Sequence, residues 1–167
     1  MTPIEIERKF LIKIPAENLL EEHGARAKNI IQTYLTPVDN ETARVRMITE
    51  SGNVSYIKTV KRRISDLSHF EDEHEISREE YENELKSRDT NKKAIEKMRY
   101  CIDFEGHTLE IDVYPFWNDR AILEIELSSE DEKFEIPEYI KVIKEVTSDG
   151  RYKNTNLAKE IPMDSVE

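Results

Sequence analysis

Charged side chains recur two residues apart along segments that otherwise alternate with Ile, Val, Leu and Phe. Glu5, Glu7 and Lys9 form one such set. Arg44 with Arg46, Thr59 with Lys61, Glu71 with Glu73, Lys97 with Arg99, Glu110 with Asp112, and Glu124 with Glu126 form the others. In an extended strand, positions i and i+2 point the same way, so each set is a local cluster on one face. Carboxylates offer hard oxygen ligands suited to Mg2+ or Mn2+. Arginine and lysine grip phosphate oxygens, arginine through its planar fork. Like charges crowded together are costly until a counter-charge arrives, so a closed space carrying both signs suits an anionic substrate together with a cationic metal. Phosphoryl transfer asks the protein mainly for positioning and charge stabilisation of this kind.

Other chemistries are excluded or weakened. The chain has neither the Gly-x-x-x-x-Gly-Lys-Ser/Thr nor the Gly-x-Gly-x-x-Gly pattern, and only four glycines, so a glycine-rich phosphate loop is not expected. His23, His69, His74 and His107 lack metal-ligand spacing, and Ser, His and acidic residues suggest no nucleophile triad. Cys101 is the single cysteine, which excludes an internal disulfide and any zinc site needing two cysteines of this chain. A formal charge of -11, from 36 acidic and 25 basic side chains, disfavours a broad nucleic-acid footprint but not a small anionic ligand. With no apolar leader and no run near 18 apolar residues, the expectation is a cytoplasmic protein with no membrane partner.

These clusters need strands to carry them. Alternation predicts strands over residues 5–12, 30–35, 43–49, 54–61, 70–76, 97–104, 108–114 and 121–127. Glu50-Ser-Gly-Asn53 is a hairpin connection, and Ser77 with Glu80 forms a capping box ahead of a helix over 78–87. Further short helices are expected over 15–23, 90–95, 137–143 and 152–159. Eight strands in 167 residues leave two vulnerable edges unless they close, so the expected fold is mainly β (α+β), an eight-stranded antiparallel closed barrel with short flanking helices. No linker or repeat divides the chain, and one domain over 1–167 follows. A homodimer through apolar wall positions or the C-terminal segment is compatible with this arrangement.

The ordered series resembles the CYTH superfamily, the triphosphate tunnel metalloenzymes, and in appearance its short bacterial inorganic triphosphatases. Glu5-Ile-Glu-Arg-Lys9, followed by Phe10-Leu-Ile12, carries the signature Glu-x-Glu-x-Lys. Ile31 to Leu35, Arg44-Val-Arg46, Thr59-Val-Lys61, Lys97-Met-Arg99, Glu110-Ile-Asp112 and Glu124-Ile-Glu126 keep the family's order. Glu145-Val-Thr147, Arg151 to Asn154 and Leu157-Ala158 resemble its C-terminal motif, with a helix at about 145–160. The resemblance implies a tunnel that binds a triphosphate-containing small molecule and Mg2+ or Mn2+. On this sequence, Lys9, Arg44, Arg46, Lys61, Lys97 and Arg99 would hold phosphate. Glu5, Glu7, Glu124 and Glu126 would lead the metal and water-positioning set, followed by Asp112, Glu71, Glu73 and Glu110; Glu5, Glu7, Lys9, Glu124 and Glu126 form the catalytic set.

One departure stands out: the family's fifth strand commonly reads Arg-x-Glu-x-Glu, and here His69 takes the arginine's place. Lys58 falls off the inward face, and Arg120 lies in a turn region as either a rim contact or a solvated charge. The leading expectation is hydrolysis of inorganic triphosphate by activated water. A nucleoside or thiamine triphosphatase, an adenylyl cyclase forming cyclic AMP, and a noncatalytic polyphosphate or nucleotide sensor are the alternatives. Tyr34, Tyr56, Tyr114, Phe116 and Trp117 are the aromatics that a base-recognition platform could draw on.

Overall fold

The computed structural model describes residues 4–166. Its strands are β1 (Ile4–Lys13), β2 (Arg26–Tyr34), β3 (Glu41–Glu50), β4 (Asn53–Arg63), β5 (Ser68–Ile76), β6 (Ile95–Phe104), β7 (His107–Val113) and β8 (Arg120–Leu127). They follow the order β5-β4-β3-β2-β6-β7-β8-β1, and β1 returns to β5 through Ile4–Phe70, Glu5–His69 and Ile6–Ser68. Every pairing is antiparallel. The ring is the expected closed eight-stranded barrel. Closure removes exposed edges and forces one side of every strand inward.

The β3–β4 hairpin turns at Ser51 and Gly52, both with positive φ (51° and 80°), and Glu50 pairs with Asn53 across it. Two residues with that twist match the twist of the flanking strands.

A ninth strand, β9 (Val142–Glu145), stands where a helix over 137–143 was expected. The chain turns at Pro137, whose carbonyl accepts the Ile140 amide at 3.0 Å, and the segment then pairs with Phe10, Leu11 and Ile12 of β1. That edge of β1 is covered by β5 only at residues 4–6, so β9 satisfies backbone groups that closure leaves open. The helix expected over 90–95 is also absent. Asp89 accepts the Asn91 amide on its side chain at 3.0 Å and the Lys92 amide on its carbonyl at 3.1 Å, a turn that displaces a helical start. Ile95 is buried and already belongs to β6, opposite Gln32.

Short helices cover the outer wall. Helix α1 (Glu17–Glu22) brings Leu20 into a core with Phe10, Ile12, Leu109, Ile111, Leu123 and Ile125. Helix α2 (Arg78–Glu84) starts at the Ser77–Glu80 capping box and sets Tyr81 against Leu35, Val45 and Ile76. Near the C-terminus, a 3-10 turn (Gly150–Tyr152) and α3 (Asn154–Leu157) are shorter than the expected helix over 152–159. They join Leu11, Tyr34, Ile95 and Ile122 in a third cluster that closes part of one barrel end. Among the described residues, no helix is long and apolar enough to cross a membrane.

Candidate functional site

The inward faces of the strands enclose a cavity of about 450 Å3. Thirteen of the fifteen residues singled out by alternation line it: Glu5, Glu7, Lys9, Arg44, Arg46, Thr59, Lys61, Glu71, Glu73, Arg99, Glu110, Glu124 and Glu126. The register explains the grouping. Glu7 lies opposite Glu126 and Lys9 opposite Glu124; Glu110 also faces Glu124. On the other wall Arg44 lies opposite Thr59, which faces Glu73, and Lys61 faces Glu71.

Because the strands are antiparallel, the same registers set an order along the axis. Glu126, Glu73 and Arg46 lie toward one end. Lys9, Arg44, Lys61 and Arg63 lie toward the other, which Val146, Tyr152 and Leu157 partly close.

Lys97 and Asp112 do not line the cavity. They lie beneath Arg99 with side chains 0% exposed, and Lys97 Nζ is 2.8 Å from Asp112 Oδ2. Arg99 donates from Nε to Asp112 Oδ1 at 2.8 Å and from Nη2 to Oδ2 at 2.9 Å, while its Nη1 reaches Glu110 at 2.8 Å. Burial works against the Asp112 carboxylate, but Arg99 and Lys97 outweigh it and hold its pKa well below the ordinary value. Lys97 faces one carboxylate and is repelled by Arg99 and Arg44, so burial pushes its ammonium down to about 8. The pair therefore favours ionised Asp112 more than ionised Lys97.

The cavity wall pairs many of its charges. Lys61 Nζ lies 2.9 Å from Glu5 Oε1 and 3.5 Å from Glu71 Oε2, and Lys9 Nζ lies 3.5 Å from Glu124 Oε1. Arg46 donates to Glu73, which also accepts from Thr59 Oγ1 at 2.8 Å. The arginines are still underused. The Nε atoms of Arg44 and Arg46 are buried without a hydrogen-bond partner. Burial and the adjacent Arg44 guanidinium push Arg46 down to about 10, with Arg99 adding to the repulsion. Buried, mutually repelling guanidiniums with free donors suit a polyanion.

The carboxylates carry the complementary surplus. Burial, then repulsion from Glu124 and Glu5, raises Glu7 to about 7. Lys9 and Arg99 overcome the burial of Glu124 and hold it at about 2. Among the described residues, no three acidic, His or Cys groups converge as a ready-made metal cluster. The Glu5, Glu7, Glu124 and Glu126 set is nevertheless all oxygen, and its unneutralised charge at Glu7 fits a hard divalent cation.

His69 lines the cavity opposite Glu5 and Arg63. Burial and then Lys61 lower its pKa, so the imidazole is neutral near pH 7 and adds no fixed cation. Lys58 points outward to Glu84 on α2 at 3.1 Å. Arg120 is neither a rim contact nor a solvated charge. It opens β8, is buried, and binds Asp119 at 2.9 Å and the Asp164 carbonyl at 2.5 Å. Trp117 is buried against Tyr114 and Phe116 and donates to the Pro162 carbonyl at 3.2 Å, while Tyr56 packs on Tyr81. Of the five aromatics considered for base recognition, Tyr34 alone lines the cavity.

The lining also includes residues the alternation did not single out: Asn40, Thr42, Arg63, Asp66, Thr147, Lys153, Asn154 and Thr155. Extending the two-residue period by one step would have reached Thr42 from Arg44 and Arg63 from Lys61. The C-terminal residues lie outside any strand, so no period marks which of them turn inward.

The CYTH domain model matches residues 3–153. An inorganic triphosphatase of Acetivibrio thermocellus is 36% identical over 158 residues, covering 93% of each chain. Another inorganic triphosphatase, from Nitrosomonas europaea, is 32% identical over 163 residues, covering 95% of this chain and 99% of the relative. The crystal structure of an inorganic triphosphatase superposes with a TM-score of 0.59 at 29% identity, covering 98% and 99% of the two chains.

Proposed function

This chain belongs to the CYTH domain family, and from that premise we propose that it hydrolyses inorganic triphosphate in a reaction dependent on Mg2+ or Mn2+. The observation that carries the substrate is the tunnel wall, rich in phosphate-gripping guanidinium and ammonium groups and poor in aromatic surface for a base. Seven basic side chains (Lys9, Arg44, Arg46, Lys61, Arg63, Arg99 and Lys153) meet eight acidic ones on that wall. The wall alone is thus close to neutral and cannot absorb the charge of a triphosphate, which favours a cation bound with it.

In this reading Arg44, Arg46, Arg99, Lys9 and Lys61 hold the phosphate oxygens and fix the chain along the tunnel. Lys97 and Asp112 act from below by fixing Arg99. Glu5, Glu7, Glu124 and Glu126 are the carboxylates that would hold a divalent cation, with Glu71, Glu73 and Glu110 around them. When bound, the cation screens the phosphate charge and acidifies water. Water attacks the terminal phosphorus, the bridging P–O bond breaks, and pyrophosphate leaves beside orthophosphate. The water's proton passes to a carboxylate. Burial and the neighbouring Glu124 raise Glu7 to about 7, whereas Lys9 and Arg99 hold Glu124 at about 2, so the set offers carboxylates of different basicity before the cation binds.

The test is phosphate release by purified protein from tripolyphosphate, ATP and thiamine triphosphate, with Mg2+, Mn2+ or chelator. Tripolyphosphate should be turned over with the highest kcat/KM and only with metal. Glu5→Ala and Glu124→Ala should lose turnover while keeping anion binding. Cyclic AMP formed from ATP without orthophosphate would overturn the hydrolase reading, and binding without turnover of any of the three would favour a sensor.

A further inference from the structure

The basic residue Lys153 reaches the cavity from a segment that belongs to no strand. The strands deliver their charges at two-residue intervals, and those intervals run out at the end bounded by Leu11, Tyr34, Ile95 and Ile122. There the chain returns after β9. Val146 donates its amide to the Lys9 carbonyl at 2.8 Å, and the Lys9 amide donates to Thr147 Oγ1 at 3.0 Å. Tyr152, fully buried, follows, and the next three residues line the cavity. Asn154 accepts from Tyr114 Oη at 2.5 Å and Thr155 from Lys92 Nζ at 2.6 Å. Both are committed to the wall. Lys153 is not: among the described residues its ammonium has no hydrogen-bond or ion-pair partner. Burial, then Arg63 and Lys9, lower its pKa.

The turn that aims Lys153 is held from outside. Asp164 accepts from Arg151 Nη1 at 3.0 Å, Arg151 Nη2 at 2.8 Å, Tyr152 Oη at 2.7 Å and Lys144 Nζ at 2.9 Å. Its own carbonyl is bound by Arg120, and the Pro162 carbonyl by Trp117. The last residues thus strap residues 151 and 152 to β8 and β9, immediately before Lys153.

We propose that Lys153 is a substrate-binding residue that grips the phosphate group farthest from the Glu126 end of the tunnel, and that Asp164 is the positioning residue that aims it. This rests on the triphosphatase reading above. Two independent features carry it: an unpaired ammonium on the tunnel wall beside Lys9 and Arg63, and a carboxylate clamp that makes three contacts to the two residues before it and a fourth to Lys144 on β9. Among the described residues, Lys153 makes no ion pair with Glu5, Glu7, Glu124 or Glu126, the carboxylates proposed to hold the cation, so it contributes to holding the anion rather than to the chemical step.

Steady-state kinetics on tripolyphosphate test this. Losing one charge-assisted hydrogen bond corresponds to about tenfold in affinity or more, so Lys153→Met should raise KM about tenfold with kcat within about twofold. Lys153→Arg should restore most of the loss. Asp164→Asn should raise KM in the same direction, and in the double variant with Lys153→Met it should add nothing further, because its effect passes through Lys153. If Asp164→Asn does not fold, Arg151→Gln opens the same clamp and carries the test. Turnover by the unaltered protein with KM unchanged in Lys153→Met would refute the substrate contact while leaving the triphosphatase reading intact. Additive KM effects in the double variant would refute the positioning role. Absence of tripolyphosphate hydrolysis by the unaltered protein would overturn the reading on which both depend.

Discussion

Replacing Asp112 by asparagine removes one negative charge from beneath the tunnel and leaves Lys97 and Arg99 facing each other without it. Asp112 is fully buried and makes contacts of 2.8, 2.8 and 2.9 Å to those two cations. Removing one partner of a buried ion pair costs about 3–5 kcal/mol, because the remaining charges cannot be rehydrated. For a chain of this size each kcal/mol moves Tm by about 2–4 °C, so Asp112→Asn should melt about 10–15 °C lower. Lys97→Met should cost much less, since Asp112 keeps its two-pronged contact with Arg99. The effect has a pH signature as well. The folded pKa of Asp112 lies below its ordinary 3.8, so its stabilisation is fully present above that value and is lost as pH falls through the folded value. Thermal melts from pH 7 down to pH 2.5 should show a steep acid loss in the unaltered protein that is shallower in Asp112→Asn. An Asp112→Asn variant that keeps its melting temperature at pH 7 but loses divalent-cation affinity by calorimetry would refute this role. Asp112 would then be a ligand, and its pairing with Lys97 and Arg99 incidental.

Three further outcomes follow from the wall. Arg46→Ala should lower kcat/KM for tripolyphosphate about 10–100-fold, the range expected for a charge-assisted contact, and phosphate release checks it; full activity would remove Arg46 from the phosphate grip. His69→Arg restores a fixed cation where the imidazole is held neutral, and should lower KM about threefold at pH 8; an unchanged or higher KM would mean the phosphate chain does not reach β5. Ser77→Ala removes the cap bond to the Glu80 amide at 3.0 Å and should cost about 1 kcal/mol in a denaturant melt without changing kcat; a loss of activity at unchanged stability would tie α2 to the site.

Which residues face inward was legible in the sequence because a strand's two-residue period is rigid: every alternating pair from Glu5 and Glu7 to Glu124 and Glu126 turned out on the inner face. Depth along that face was not. Lys97 and Arg99 share one face of β6, yet only Arg99 reaches the cavity, because Lys97 is drawn down onto Asp112 in a layer that also contains Tyr114. Period gives direction, while the level at which a side chain stops depends on the register of neighbouring strands, which comes from long-range pairing. The same limit explains the missed β9. Residues 137–143 have no strong helical or strand period; the chain turns over 137–140, and the extended form of Val142–Glu145 is decided by the edge of β1 that β5 leaves open. Lys153 is the extreme case, since its inward aim depends on Asp164, eleven residues on and outside any element. The tunnel's chemistry is thus written twice: periodically in the strands, where a single sequence suffices to read it, and aperiodically in the C-terminal strap, where only the closed structure shows which charge has been turned inward.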